Sequence, residues 1–235
     1  MTVAQLARGI WRIPTTARDR DNAFLVETEE GYTLVDVGWA KAPGRIAAAV
    51  EELGHKPADI RRIVITHAHP DHVQGAEEMR ARTGAEILIH AADADWLRSG
   101  RVPASGREGS LGRLVDKIPK LHWRPTQPDR TVTDDEVVDG LKVIHTPGHS
   151  PGHIVLLHEP SRTLLAGDAV FHRSGEPQQG PAALSADSAA RDASLRRLPA
   201  DVAAVGFAHG KPLTGDDVQS YVDWLRENGS GRGRG

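Results

Sequence analysis

Thr66-His67-Ala68-His69-Pro70-Asp71-His72 puts four potential metal-binding side chains, three His and one Asp, within six residues. Neutral imidazole and carboxylate are the groups that borderline divalent cations such as zinc prefer. Alternate side chains of an extended backbone project the same way, so His67 and His69 can meet one cation. Pro70 pushes His69 toward an extended conformation and keeps it out of any following helix. Asp71 and His72 then lie where the chain turns into that helix, close enough to serve a second ion. Without a cation these groups would repel one another or go unsatisfied. A solvated His-rich surface loop is the competing account of this hexapeptide alone.

Three later residues weigh against that account. His149 sits in Thr146-Pro147-Gly148-His149-Ser150-Pro151-Gly152-His153, a turn whose glycines permit close backbone approach. Asp168 follows Leu164-Leu165-Ala166-Gly167, and His209 follows Val205-Gly206-Phe207-Ala208. Each is a ligand type at an expected strand end, flanked by glycine. Singly, each reads as an ordinary loop residue; together with the His67–His72 loop, they make coincidence the weaker account.

The elements that must position them alternate along the chain. Residues 9–13, 22–27 and 32–37 read as short antiparallel strands separated by turns. Residues 45–53 place Ile46, Val50 and Leu53 at helical spacing and stop at Gly54. Strands are expected at 62–66 and 86–90, with a helix at 73–82 between them and a short helix at 91–98 after. Strands resume at 141–146, 153–159, 163–166 and 202–207, with helices over 186–198 and from Thr214 to about 228. This strand and helix alternation points to an α/β layered fold. Residues 100–133 show little strand character, apart from a short amphipathic helix carrying Leu114, Val115, Ile118 and Leu121. They read either as a lid over a site or as a surface excursion. Residues 1–228 are expected to form a single domain, and 229–235, rich in glycine, a flexible tail.

Bulk properties narrow the function classes. The 235 residues are 39% hydrophobic and 26% charged, a globular balance. The net charge is −3 with no clustered basic face, so nucleic acid is not an expected partner. With no cysteine, disulfides, thiolate ligands and cysteine nucleophiles fall away. Nothing reads as a signal peptide or a membrane span, so no membrane partner and a cytoplasmic location are expected.

The run His-x-His-x-Asp-His, followed by a later His, Asp and His, resembles the metallo-β-lactamase-fold hydrolase superfamily over nearly the whole chain. The resemblance implies an α/β fold, a four-layer αββα sandwich with metals at the edge between the two sheets. By the family pattern, His67, His69 and His149 would bind one ion, Asp71, His72 and His209 the other, and Asp168 would bridge. Asp36, in Leu34-Val35-Asp36-Val37-Gly38, matches an early family motif and is read as a supporting residue, not a ligand. The implied cofactors are two divalent metal ions, zinc first, with iron or manganese as substitutes.

Departures from the family patterns narrow the activity. Without cysteine, the β-lactamases with a cysteine ligand are excluded, and those with all-His/Asp sites usually lack a bridging aspartate such as Asp168. The set with Asp168 is similar to glyoxalase II, lactonases and related ester or thioester hydrolases. Glyoxalase II adds a C-terminal helical extension for glutathione, and little chain follows His209. Quorum-signal lactonases place a tyrosine between the bridging aspartate and the last histidine, whereas Tyr32 and Tyr221 both fall outside that interval. His172 could enter the pocket and donate to an oxyanion, and His122-Trp123 invites a similar reading, though each is more readily an ordinary loop residue.

The resemblance thus implies a dinuclear hydrolase acting on an ester, thioester or lactone carbonyl of a small-molecule substrate. A hydroxide bridging the ions would attack, with Asp71 and Asp168 as catalytic residues. The alternatives are a mononuclear iron oxygenase similar to persulfide dioxygenases, and a non-catalytic binding module of the same fold. The chain is expected to act as a monomer or homodimer.

Overall fold

Alternating apolar residues decide the architecture, because each strand presents one set of side chains to each face. In the computed structural model, which describes residues 2–17, 20–104 and 106–229, seven strands form the first sheet in sequential order. They are β1 (Ala4–Ala7), β2 (Ile10–Pro14), β3 (Asn22–Thr28), β4 (Gly31–Val35), β5 (Ile60–Ile65), β6 (Glu86–His90) and β7 (Arg130–Val132). The first four pair antiparallel, and β4 to β7 pair parallel. Parallel pairing requires crossovers, supplied by α1 (Ala42–Glu52) between β4 and β5, and by α2 (Pro70–Val73) and α3 (Ala76–Thr83) between β5 and β6. Then come α4 (Ala94–Ser99) and α5 (Gly109–Val115).

The second sheet holds β8 (Val137–Val138), β9 (Leu141–His145), β10 (Ile154–His158) and β11 (Thr163–Leu165). A separate hairpin of β12 (Phe171–Arg173) and β13 (Glu176–Gln178) and helix α6 (Ser188–Ser194) precede β14 (Ala204–Gly206) and β15 (Leu213–Thr214). The order is β15-β14-β11-β10-β9-β8, and β11 and β14 run parallel. Helix α7 (Val218–Gly229) follows.

Three apolar clusters separate the four layers. Phe24, Val26, Val35, Val64 and Leu88 of the first sheet meet Val143, Ile154, Leu156 and Leu165 of the second. On the far side of the first sheet, Leu25, Leu34, Ile63, Ile65 and Ile87 pack against Ile46 and Val50 of α1, Met79 of α3 and Leu97 of α4. Val155, Leu157, Leu164 and Val205 cover the outer face of the second sheet with Val218, Tyr221 and Leu225 of α7. This is the αββα sandwich the resemblance implies. Each of these fully buried aliphatic side chains contributes about 1.5–3 kcal/mol of transfer free energy.

Several boundaries differ from the sequence expectations. In place of the helix expected over 73–82, α2 ends at Val73 and α3 begins at Ala76, and between them Gly75 packs so closely on Pro43 that a Cβ there would come within 2.7 Å of its ring. The hairpin of β12 and β13 was not anticipated. The expected 100–133 excursion ends in β7, which joins the sheet beside β6. Within it, α5 stops at Val115, leaving Leu114 and Ile118 exposed, so the apolar face expected there is not buried. The segment is tied down instead by polar contacts: Gln74 Nε2 donates to the carbonyls of Lys120 and His122, and Arg107 Nη1 donates to that of Leu184. Of the expected tail, Gly229 closes α7, and 230–235 lie outside the described residues.

Candidate metal centre

One edge of the sandwich collects the chemistry. The parallel pairing of β4, β5 and β6 brings Asp36, the His67–His72 segment and Asp93 out at the same end of the first sheet. The amide of Ile154, at the start of β10, donates to the carbonyl of Thr66 at 3.0 Å. That bond seats the 146–153 turn of the second sheet against the His67 loop. Asp168 and His209 follow β11 and β14, whose parallel pairing ends both at this edge.

All seven residues expected as ligands converge. His69 Nδ1 lies 3.1 Å from His67 Nε2 and 2.8 Å from His149 Nε2. On the other side, Asp71 Oδ2 lies 3.9 Å from His72 Nε2 and 3.4 Å from His209 Nε2. Asp168 stands between: Oδ2 is 3.2 Å from His149 Nε2, while Oδ1 is 3.2 Å from His72 Nε2 and 3.1 Å from His209 Nε2. Both trios, His67-His69-His149 and Asp71-His72-His209, are tight enough to hold a metal ion.

The electrostatics suit a cation. Burial, then the neighbouring imidazoles, holds His67 and His69 well below the usual histidine range, so each keeps a lone pair free to coordinate. Burial also pulls His72 and His209 down, but Asp168, joined by Asp36 and Asp71 at His72 and by Asp21 and Asp71 at His209, lifts both well above it. Burial likewise opposes ionisation of Asp168, yet His209, His72 and His149 keep its carboxyl well below the usual range. His72 Nε2 and Asp168 Oδ1 are buried and make no hydrogen bond, although they face each other. Buried imidazole nitrogens and carboxylate oxygens converging on a common point are a poor arrangement for protein alone and a good one for a divalent ion, which would replace the protons that the carboxylates draw onto His72 and His209.

Further contacts fix the rings. Asp36, in the left-handed region at φ 60°, accepts from Thr66 N and Thr66 Oγ1 at 2.8 Å and from His72 Nδ1 at 2.8 Å. The supporting place expected for Asp36 is thus where it sits. His209 Nδ1 lies 2.9 Å from Asp21 Oδ1 and donates to the Arg20 carbonyl at 2.9 Å. Such partners set which ring nitrogen faces a metal.

Two supporting residues were missed from the sequence. Asp93, fully buried, accepts from Ala68 N at 2.9 Å and Ser150 Oγ at 2.5 Å through Oδ2, and from Gly152 N at 2.6 Å through Oδ1. It clips the His67-Ala68-His69 segment to the His149 turn. His153 Nε2 accepts from the Asp168 amide at 2.9 Å, and its Nδ1 lies 2.8 Å from Thr146 Oγ1. Burial drives this ring down to about 3, consistent with a neutral acceptor.

The glycines of the turn do what their spacing suggested. A Cβ on Gly148, at φ 131°, would stand 2.1 Å from the Arg191 amide nitrogen, and one on Gly152 would stand 2.6 Å from that of Asp93.

The more doubtful candidates separate. His172 lines a cavity of about 1280 Å³ together with Asp71 and His209. Its Nδ1 donates to the Lys211 carbonyl at 2.7 Å, so in the neutral ring Nε2 is a bare acceptor and not the oxyanion donor envisaged. Trp123 is a core residue whose indole donates to the Leu97 carbonyl, and His122 Nε2 donates to the Asp116 carbonyl at 3.1 Å. Neither lines that cavity.

The Lactamase_B profile, described as the metallo-beta-lactamase superfamily, matches residues 18–211. The chain belongs to the metallo-β-lactamase superfamily of metal-dependent hydrolases. It is 36% identical over 156 residues to the uncharacterized protein YobT of Bacillus subtilis, an alignment taking in 66% of this chain and 64% of that one. It is 26% identical to the probable metallo-hydrolase YflN of the same organism, over 86% of this chain and 83% of the relative. An N-acyl homoserine lactonase of Bacillus cereus is 29% identical over 74% and 73% of the two chains. Among solved structures, the metallo-β-lactamase MIM-1 of Novosphingobium pentaromativorans superposes with a TM-score of 0.72 at 23% identity, covering 97% of this chain and 87% of that one. Identity this low shows a shared fold alone. Among the described residues no helix is long and apolar enough to cross a membrane.

Proposed function

We propose that the chain is a dinuclear hydrolase of an ester, thioester or lactone carbonyl, with two zinc ions as its working metals. The observation that carries this reading is Asp168, whose two carboxylate oxygens address different trios at 3.1–3.2 Å. His67, His69 and His149 would hold one ion, and Asp71, His72 and His209 the other, with Asp168 shared. The reading treats 1–228 as one catalytic domain.

Bound ions would supply Lewis acidity and lower the pKa of a water toward neutrality. The chain's own part is positional. Asp36 and Asp21 orient the rings of His72 and His209, while Asp93 and His153 hold the backbone on either side. Asp71 borders the 1280 Å³ cavity and is the carboxylate placed to pass a proton. In the balanced step, a water oxygen bonds to the carbonyl carbon, the C–O or C–S bond breaks, and the departing atom takes a proton relayed at Asp71. The sequence similarity to an N-acyl homoserine lactonase supports a carbonyl substrate of this class.

The reading is tested by metal analysis of the purified protein with a panel of lactones, thioesters and aryl esters. Two zinc ions per chain and turnover on one of those classes are expected. One iron per chain with oxygen consumption on a persulfide would replace hydrolysis by oxygen chemistry. Two metals with no turnover across the panel would leave a binding module.

A further inference from the structure

The cavity that opens on Asp71 and His209 has a distinctive charge. Three cationic side chains line it, Arg20, Arg173 and Lys211, beside Thr16, Trp39 and Ser174. Its two carboxylates are already engaged. Asp21 lies against His209 Nδ1 at 2.9 Å and accepts from Trp39 Nε1 at 3.2 Å, and Asp71 lies against His209 Nε2. Among the described residues, no carboxylate forms an ion pair with any of the three cations.

The cations are held beside the metal centre. The Arg173 guanidinium lies over the Phe171 ring, 4.6 Å from its centroid, and Phe171 meets the His209 ring edge-on at 4.6 Å. The Arg20 carbonyl accepts from His209 Nδ1, and the Lys211 carbonyl accepts from His172 Nδ1. All three side chains therefore spring from backbone anchored around one metal-binding trio. The protein as a whole carries −3, so this local excess of positive charge runs against the bulk. A second cavity, of about 860 Å³, makes the contrast: its Arg62 is paired with Asp139 at 2.7 Å and Glu30 at 3.4 Å, and Glu27 and Glu29 also line it.

We propose that Arg20, Arg173 and Lys211 select an anionic substrate, an ester, thioester or lactone carrying a carboxylate or phosphate away from the scissile carbonyl. This rests on the hydrolase reading above. Unpaired cations beside a polarising centre lower the energy of an anion entering the cavity and steer its approach, and salt weakens both effects. A cavity of this size accommodates an acyl chain and its charged end together.

The test compares two aryl esters of equal length, 4-nitrophenyl hydrogen glutarate and its neutral methyl ester. A second arm compares acetyl-coenzyme A with S-acetylpantetheine to separate phosphate from carboxylate recognition. The zinc-loaded protein should show a kcat/KM at least ~tenfold higher for the charged member of one pair, as expected when a charged hydrogen bond is gained. That ratio should fall about tenfold in Arg173→Gln/Lys211→Gln and with rising salt, and stay put in Arg8→Gln, a change at the other cavity. A binding readout stands apart from turnover: calorimetric titration with glutarate and with adenosine 3′,5′-bisphosphate, at equal metal content. One of these anions should bind the wild type and lose about tenfold in affinity in the double variant. Equal kcat/KM within both pairs, or anion affinity indifferent to the double variant, would overturn the proposal. If no ester is cleaved while anion binding still depends on the two cations, anion selection stands and the hydrolase reading fails.

Discussion

Replacing Asp93 with alanine tests how the two halves of the metal centre are held in register. The side chain is fully buried and accepts three hydrogen bonds, two from backbone amides of Ala68 and Gly152 and one from Ser150. Deleting it strands those donors where water cannot readily replace it, at about 1–3 kcal/mol for each unsatisfied group. Burial raises the pKa of this carboxyl above its usual range despite its donors, so removing it also relieves some desolvation cost. The net loss should be about 3–6 kcal/mol against a total stability of about 5–15 kcal/mol. For a chain of this size that lowers Tm by roughly 6–24 °C. Calorimetry of the zinc-loaded protein measures this, and metal analysis after dialysis measures the second effect. Because Ala68 lies between His67 and His69, releasing its amide loosens both ligands, and zinc retention should fall. Asp93→Asn, which keeps the volume but presents one acceptor oxygen, should fall between. A Tm within 2 °C of wild type with unchanged metal content would refute the idea that Asp93 aligns the two loops.

Other outcomes follow from the same geometry. His67→Ala and Asp168→Ala should each abolish turnover and lower bound metal in the purified protein; retention of both would defeat their assignment as ligands. Stripping metal with a chelator should lower Tm, and adding zinc back should restore it, by about 4 kcal/mol at a thousandfold excess over Kd. Gly148→Ala must move Arg191 or the turn itself and adopt an unfavourable φ, so it should cost at least ~1–3 kcal/mol in a denaturant titration and weaken metal retention. His90 stacks on His145 at 4.0 Å, and burial with that neighbour pulls it to about 4. Between about 6.5 and 4 the unfolded chain therefore binds a proton that the folded chain refuses, so stability falls on acidification through that window. His90→Gln should flatten this part of the curve of stability against pH, measured by urea unfolding.

The candidate ligands were legible because coordination demands particular side chain types, and four such side chains crowd one hexapeptide. His149, Asp168 and His209 could be picked out because each follows an apolar strand and sits by glycine. Their division into two trios came from the family pattern, since spacing cannot say which loops meet across two sheets. Asp93 was not legible: in Ala91-Ala92-Asp93-Ala94-Asp95-Trp96 it looks like any acidic residue at a helix start. Its partners are backbone amides far away in sequence, which leave no mark on composition. The hairpin of β12 and β13 escaped for another reason, as strands of three residues are too short to show a period of two. In α5, apolar residues recur at helical spacing, but the helix ends before they can form a face, and Leu114 meets solvent. Tertiary polar contacts, such as the buried pair of Arg107 and Asp116 at 2.7 Å, decide how that stretch lies.

The seating of Ile154 against Thr66 at the sandwich edge bears on mechanics as well as chemistry. His67, His69, Asp71 and His72 arrive from one sheet, and His149, Asp168 and His209 from the other, so a cation gripped there would add coordination bonds to the Asp93 and Ile154 hydrogen bonds that pin the two slabs at this edge. Such slabs can slide by small steps without losing much apolar contact, whereas coordination tolerates almost no slippage. A bound cation at this edge would therefore resist relative shear of the two sheets.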